Sequence, residues 1–233
     1  MSGLLELREI TRTFTVPDSE PLHILTGVNL SVSPGEHVAI VGRSGTGKST
    51  LLNILGLIDK PTSGHYTLSG TDTSRLGESR RAHLRGQTFG FVFQSFNLIP
   101  GLTTTENVAA PLLYDTGRAF WTRSARAAEL LEAVGLGDKV GSPISRLSGG
   151  EQQRVAIARA LASEAPIILA DEPTGNLDEG TAQEIIDILR QAAHERGKCV
   201  IVVTHSPQVA EAADTVLELS HGKLKAANGH KVK

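Results

Sequence analysis

The alternation of strand-like and helix-like segments along the chain predicts an α/β fold with a mostly parallel sheet. Three short apolar runs, at residues 89–93, 166–170 and 199–204, have the composition of strands that are buried on both faces. Between residues 181 and 194, apolar side chains recur at the spacing that lines one face of an amphipathic helix. Buried strands that alternate with such helices indicate a parallel sheet covered by helices.

The other elements follow from shorter apolar runs and from the turns that bound them. The patterns predict early strands at residues 4–10, 28–32 and 37–41, a first helix at 48–56 and a late outer strand at 216–219. The late strand is expected at the edge of the sheet.

Residues 95–150 follow a different pattern, because glycines and prolines interrupt helix-like stretches at 105–114 and 122–134 and no strand is evident. This stretch is expected to be a helical subdomain inserted into the sheet-bearing core. The sequence therefore predicts a single domain over residues 1–233, with a core at 1–94 and 151–233 and a helical subdomain at 95–150.

The composition is that of an ordinary soluble globular protein with room for one good core. Among its 233 residues, 39% are hydrophobic and 21% are charged. The formal net charge of -2 gives no electrostatic argument for a nucleic-acid partner. Cys199 is the only cysteine, which excludes an intrachain disulfide, and its apolar neighbours predict a buried structural thiol.

Neither end of the chain has the pattern of a membrane segment. No apolar run approaches the roughly 18 residues that span a bilayer, and acidic residues lie where a signal peptide needs an apolar segment. We therefore expect a cytoplasmic protein that a partner holds at the cytoplasmic face of the cell membrane. The C-terminal residues 223–233, which include four lysines, are expected to be solvated and frayed.

The segment GRSGTGKST lies between an apolar run and a helix-like run and has the pattern of a phosphate-binding loop. Glycines permit positive φ and bring backbone N–H groups close to phosphate oxygens, where a helix N-terminus adds partial positive charge. Lys48 supplies a charge for the β and γ phosphates of ATP, and the Ser49 hydroxyl is a hard oxygen ligand for Mg²⁺. The loop residues expected to contact ATP are Gly42, Arg43, Ser44, Gly45, Thr46, Gly47, Lys48, Ser49 and Thr50.

Four further residues are expected to meet this loop at the carboxyl ends of the parallel strands, where ligands bind in open α/β sheets. Asp171 ends one strand and Gln94 follows another, so both are expected as ligands of the hydrated Mg²⁺. Glu172, next to Asp171, is left to orient and deprotonate the attacking water. His205 ends the strand at 199–204 and is expected to donate a hydrogen bond to the γ-phosphate. The predicted catalytic residues are Lys48, Glu172 and His205.

The segment LSGGEQQRVAIARALA predicts a second helix N-terminus that is suited to an anion. Ser148 is a natural N-cap, and Gly149 and Gly150, followed by Glu151, leave room for close approach of the backbone. The phosphate loop already holds the γ-phosphate of a bound ATP, so a second cradle makes sense if it closes over the ATP of another subunit. This predicts a head-to-tail homodimer on ATP binding, with Asp178 at its seam.

Together these segments resemble the nucleotide-binding domains of ATP-binding-cassette (ABC) transporters, over essentially the whole chain. The segments FVFQSFNLIPGLTTTENVAAPL, LSGGEQQRVAIARAL and ADEPTGNLD are similar to those of lipoprotein-releasing and macrolide-efflux ATPases. The resemblance implies a P-loop fold with a RecA-like core, an N-terminal antiparallel β region and a helical subdomain. It also implies that this subdomain receives a coupling helix of a membrane permease.

The resemblance further implies roles for single residues. Gln94 would begin a loop that senses the permease, and Phe14 would stack on adenine, although tyrosine is commoner there. Glu151 stands where many members have glutamine, and Ser206 follows His205 where aspartate is commoner. Neither departure removes a residue that hydrolysis needs.

The predicted function is therefore ATP hydrolysis that drives a separate integral-membrane permease, in efflux or lipoprotein release. A regulatory ABC ATPase that acts on a cell-envelope hydrolase through a membrane partner is the alternative, although SFNLIPGLT after Gln94 resembles the transport group more closely. A soluble ABC ATPase of DNA repair or translation is disfavoured. The chain has neither the long insertions nor the fused second cassette of such proteins, nor a basic stripe for nucleic acid.

Overall fold

The computed structural model describes residues 3–15, 17, 20–114 and 118–227, which include an antiparallel sheet near the N-terminus. Its strands are β1 (Leu5–Phe14), β2 (Leu22–Val32), β4 (Ser63–Leu68) and β5 (Thr71–Asp72). They lie in the order β2-β1-β4-β5. This is the antiparallel β region that the family resemblance implies.

A second, mostly parallel sheet carries the buried strands. Its strands are β3 (His37–Val41), β6 (Phe89–Val92), β7 (Ile167–Asp171), β8 (Cys199–Thr204), β9 (Thr215–Ser220) and β10 (Lys223–Ala226). They lie in the order β10-β9-β3-β8-β7-β6, and β10 alone among them runs antiparallel to its neighbour. Every residue of β8 is buried, as its continuous apolar composition predicts.

Helices cover this sheet and supply most of the region between β6 and β7. They are α1 (Lys48–Leu55), α2 (Glu78–Thr88), α3 (Thr104–Ala109), α4 (Arg118–Ala133), α5 (Gly149–Ala162), α6 (Glu179–His194) and α7 (Pro207–Glu211). Short 3₁₀ turns lie at Ala110–Tyr114, Gly137–Lys139 and Ile144–Arg146.

Alternate residues of the buried strands divide between two hydrophobic clusters, one on each face of the parallel sheet. Ile168 and Ala170 of β7 pack with helices α3 to α6, whereas Ile167 and Leu169 pack with α1 and the antiparallel sheet. Full burial of one aliphatic side chain contributes about 1.5–3 kcal/mol. The two clusters therefore fix the sheet firmly, and its carboxyl edge becomes a rigid base for a site.

Five elements, β4, β5, α2, α7 and β10, are absent from the sequence prediction. Helix α2 has few apolar residues and is anchored differently: Arg81 is buried and donates from Nη2 to the carbonyl oxygens of Leu57 at 2.9 Å and Asp59 at 2.7 Å. A buried guanidinium that binds loop carbonyls leaves no hydrophobic periodicity in the sequence. Hydrophobic periodicity therefore cannot predict α2.

Some predicted boundaries differ from the structure. Strand β2 begins at Leu22 rather than at residue 28, and the helix expected at 105–114 is α3 followed by a 3₁₀ turn that contains Pro111. The frayed end expected from residue 223 is wrong for Lys223–Ala226, which pair with β9 as β10. Residues 228–233 of that predicted tail lie outside the described residues.

The division into a core and a helical subdomain stays a prediction. One buried cluster extends from α3 and α4 through α5 to α6, across the proposed boundary at residue 150. In the described part of the chain, no helix has the length and apolar character to cross a membrane.

Candidate active site

The glycine-rich loop joins β3 to α1, and two of its glycines have backbone conformations that L side chains rarely adopt. Gly45 has φ of +80° and Gly47 has φ of +99°. A Cβ on Gly47 would also lie 2.6 Å from Cγ2 of Ile24. The loop therefore needs glycine at residue 47 for two independent reasons.

The loop forms one wall of a cleft of ≈ 660 Å³ whose other wall is the carboxyl edge of the parallel sheet. Eleven of the residues singled out by the sequence line it, and Ile24 is an addition that the sequence does not predict. The lining residues are Ile24, Arg43, Ser44, Gly45, Gly47, Lys48, Ser49, Thr50, Gln94, Asp171, Glu172 and His205.

Several predicted residues are not part of this lining. Thr46 lines a neighbouring cavity of ≈ 570 Å³, and Gly42 packs so closely that a Cβ there would lie 2.7 Å from the carbonyl oxygen of Leu219. Phe14 lies at the end of β1, outside the cleft lining, with the Arg12 guanidinium carbon 4.2 Å from its ring centroid. The predicted adenine contact of Phe14 stays a prediction.

Lys48 is buried beneath the loop. Its Nζ donates to the carbonyl oxygens of Gly42 at 2.8 Å and Arg43 at 3.2 Å. The same Nζ lies 3.9 Å from Oε1 of Glu172. The Lys48 ammonium group is therefore held between the phosphate loop and the predicted general base.

Asp171 is the last residue of β7 and is half-buried in the cleft wall. Burial raises the pKa of the Asp171 carboxyl above its ordinary value, and a hydrogen bond with the Ser49 side chain opposes that rise. Gln94 lines the same cleft. A carboxylate, a hydroxyl and an amide side chain thus offer the hard oxygen donors that Mg²⁺ prefers.

Glu172 has a strained backbone, with φ of 43°, and a carboxylate held by the end of β8. Its Oε2 accepts hydrogen bonds from Thr204 Oγ1 at 3.0 Å and from the His205 backbone N–H at 3.2 Å. Its Oε1 lies 2.9 Å from Nδ1 of His205. The His205 ring is 69% exposed and pairs here with Glu172, and its predicted contact with a γ-phosphate stays a prediction.

The structure explains this pairing through the register of the sheet. Asp171 is opposite Val203 in the parallel pairing of β7 with β8, which brings the residues after each strand together. Thr204, which holds the Glu172 carboxylate, is not among the residues that the sequence predicts for the site. Its position immediately before His205, at the end of an apolar run, could have identified it from the sequence.

The residues of the LSGGE segment lie outside the lining of this cleft. Ser148 is the N-cap of α5, as predicted, and forms a reciprocal capping box with Glu151, whose Oε2 accepts from the Ser148 N–H at 2.7 Å. Asp178, expected at a dimer seam, is the N-cap of α6 and accepts from Thr181 N at 3.1 Å.

The two glycines of this segment have different surroundings. A Cβ on Gly150 would lie 2.3 Å from Cγ2 of Thr181, so close packing of α5 against α6 requires glycine there. A Cβ on Gly149 would meet Phe96 at 3.7 Å and Leu177 at 3.9 Å, which are ordinary contacts. Packing within the chain therefore explains Gly150 but not Gly149.

Comparison with known proteins identifies the class. The family model described as ABC transporter matches residues 25–175. The chain therefore belongs to the ABC transporter family. Within it, the chain is an ATP-binding cassette with a P-loop fold, the ATPase class that the sequence predicts.

Similar proteins include an ATP-binding protein of about the same length and longer ATP-binding/permease proteins. The chain is 45% identical over 228 residues to the macrolide export ATP-binding/permease protein MacB of Hyphomonas neptunium, covering 98% of this chain and 35% of that protein. It thus spans about a third of that relative. It is also 45% identical over 225 residues to an uncharacterized ABC transporter ATP-binding protein of Thermotoga maritima, covering 97% of this chain and 95% of that protein.

A solved structure described as the dimeric, post-hydrolysis state of the ATP-binding cassette MJ0796, bound to ADP and Pi, has a similar fold. It has a TM-score of 0.88 and 42% sequence identity, and the match covers 97% of this chain and 99% of that one.

Proposed function

We propose that this chain binds and hydrolyses ATP to energise a separate integral-membrane permease, of the efflux or lipoprotein-release type. The observation that carries the proposal is the single cleft in which Lys48, Asp171 and Glu172 lie together. The macrolide export proteins that the chain resembles combine an ATP-binding part with a permease in one protein, which supports the permease as partner. The chain would then be peripheral at the cytoplasmic face of the membrane.

The groups in the cleft have separate tasks in hydrolysis. Backbone N–H groups of the loop and the Lys48 ammonium bind the phosphates of ATP. Glu172, held between β7 and β8, orients the attacking water and accepts its proton, while His205 donates a hydrogen bond to the γ-phosphate. Ser49, Gln94 and Asp171 would hold Mg²⁺, which neutralises charge on the β and γ phosphates.

The position of Ser148 and Gly149 outside the cleft supports a shared site. The backbone at the start of α5 would close over the γ-phosphate of ATP bound by a second copy, and the second copy would do the same in return. Dimerisation would then depend on ATP, and hydrolysis would allow the two copies to separate. The related cassette MJ0796 has been solved as a dimer.

A groove of ≈ 870 Å³ is the docking site that we propose for the permease. Phe91 and Phe93 stack in parallel within it, 5.7 Å apart, and Arg85 and Arg159 add positive charge. Phe93 immediately precedes Gln94, so a helix of the permease seated there would act directly on the Gln94 loop.

Replacing Glu172 with Gln tests both the chemistry and the partner. We expect turnover to fall roughly 10²–10⁴-fold, the contribution of a general base, with ATP still bound. In a pull-down from detergent-solubilised native membranes with MgATP, this variant should recover a permease with a large extracytoplasmic domain, identified by mass spectrometry.

Wild-type turnover by Glu172→Gln would remove Glu172 from catalysis. Recovery of a cell-envelope hydrolase with its membrane partner would instead favour the regulatory ABC ATPase. Recovery of only soluble proteins or nucleic acid would contradict the transport function and leave the ATPase chemistry intact.

A further inference from the structure

A buried amide links helix α5 to the segment that carries the general base. Gln153 is fully buried, and its Nε2 donates to the carbonyl oxygen of Pro173 at 2.8 Å. Pro173 directly follows Glu172. The amide of Gln153 therefore reaches the backbone one residue beyond the proposed base.

The bond is explained poorly by stability alone. Within the described part of the chain, Oε1 of Gln153 has no hydrogen-bond partner, and leaving a buried polar atom unsatisfied costs free energy. An apolar side chain of similar length would avoid that cost. We therefore attribute the presence of an amide at this position to the hydrogen bond that Nε2 donates to the Pro173 carbonyl oxygen.

The backbone that Nε2 holds is strained and needs support. Glu172 has φ of 43°, a left-handed conformation that residues other than glycine rarely adopt. On one side its N–H donates to the carbonyl oxygen of Val203 at 2.9 Å, and its own carbonyl accepts from Gly175 N at 3.1 Å. The Gln153 bond fixes the next peptide unit, so the Glu172 carboxylate is held from the sheet and from α5.

We propose that Gln153 is a positioning residue for the Glu172 carboxylate, acting through the Pro173 carbonyl. This inference rests on the proposed role of Glu172 as general base. Gln153 lies on the same helix whose N-terminus carries Ser148 and Gly149, so the segment that meets a partner's ATP is tied rigidly to the chain's own base.

The test compares Gln153→Met in two backgrounds of the full chain, because Met keeps the volume of Gln and removes the donor. In the otherwise unchanged chain, we expect kcat to fall about tenfold or more, with KM and the dissociation constant for ATP within about twofold. In the Glu172→Gln background, single-turnover measurements should show less than about a twofold further loss, because a residue that acts through Glu172 has nothing left to position.

The matched control is Gln183→Met, since Gln183 is exposed on α6 and bonds within its own helix to Asp187. It should retain turnover in both backgrounds. If Gln153→Met does not fold, Gln153→Asn keeps an amide but shortens its reach, and the same loss of kcat is expected.

Unchanged kcat would overturn the proposal, and so would an equal loss in both backgrounds, which indicates a merely structural role. A Glu172→Gln chain with normal turnover would instead refute the proposed base itself, so the two failures are distinguishable.

Discussion

His37 shows how a single buried side chain makes stability depend on pH. It lies at the start of β3, away from the cleft, and 1% of its surface is exposed. Its ring nitrogens have no hydrogen-bond partner among the described residues, while its backbone N–H donates to Asp214 at 3.0 Å. Burial lowers the pKa of His37 from 6.5 to about 4, and the Asp214 carboxylate opposes this shift only in part.

The sign of the pH effect follows from this lowered pKa. Below pH 6.5 the unfolded chain binds a proton at His37 that the folded chain refuses until about pH 4, so stability is lost over that range as pH falls. Between about pH 7.5 and pH 5, we expect His37 to remove about 2 kcal/mol from the free energy of unfolding. Urea unfolding of the wild-type chain and of His37→Phe at both pH values measures this difference.

His65→Phe provides the control substitution, because it replaces a histidine that is exposed rather than buried. An equal loss of stability on acidification in the wild-type and His37→Phe chains would contradict the assignment.

At the scale of elements, the start of α5 combines a packing requirement with a proposed binding surface. Gly150 is needed for contact with Thr181 of α6, whereas Gly149 has room for a Cβ. Substitutions at these two adjacent glycines therefore test the stability of the fold and the proposed binding surface separately.

Gly150→Ala should destabilise the chain by about 1–3 kcal/mol, the usual cost of overpacking. Gly149→Ala should leave the free energy of unfolding within about 0.5 kcal/mol and lower ATP turnover, because its methyl group would intrude between the helix N-terminus and a partner's phosphate. Thermal or urea unfolding and steady-state ATPase rates of both variants provide the comparison. Normal turnover by a stable Gly149→Ala chain would count against the shared site.

Elements were predictable where buried apolar runs or glycine-rich turns define them. The sequence predicts β3, β7 and β8 and the convergence of their carboxyl ends, because these strands are apolar throughout. It does not predict α2, which is anchored by Arg81, or the pairing of Glu172 with His205. Those depend on backbone carbonyls and on sheet register, which leave no periodic signal along the chain.

At the scale of the whole molecule, the residues proposed to bind ATP lie in two separate places. The phosphate loop, Asp171 and Glu172 line the cleft, and Ser148 and Gly149 lie outside it. Helix α5 joins the two places, through its N-terminal cap at one end and the Gln153 amide one turn further on. A head-to-tail dimer would bring each set of residues against its complement and give two shared ATP sites.

The measurement that tests this account most directly is the ATPase rate of an equimolar mixture of Lys48→Ala and Ser148→Arg chains. Each variant alone should be nearly inactive, because every shared site in its dimer carries the defect. A mixed dimer contains one site with an intact loop from one chain and an intact signature from the other. We predict a rate clearly above that of either parent; a rate equal to the mean of the two parents would contradict head-to-tail sharing of the site.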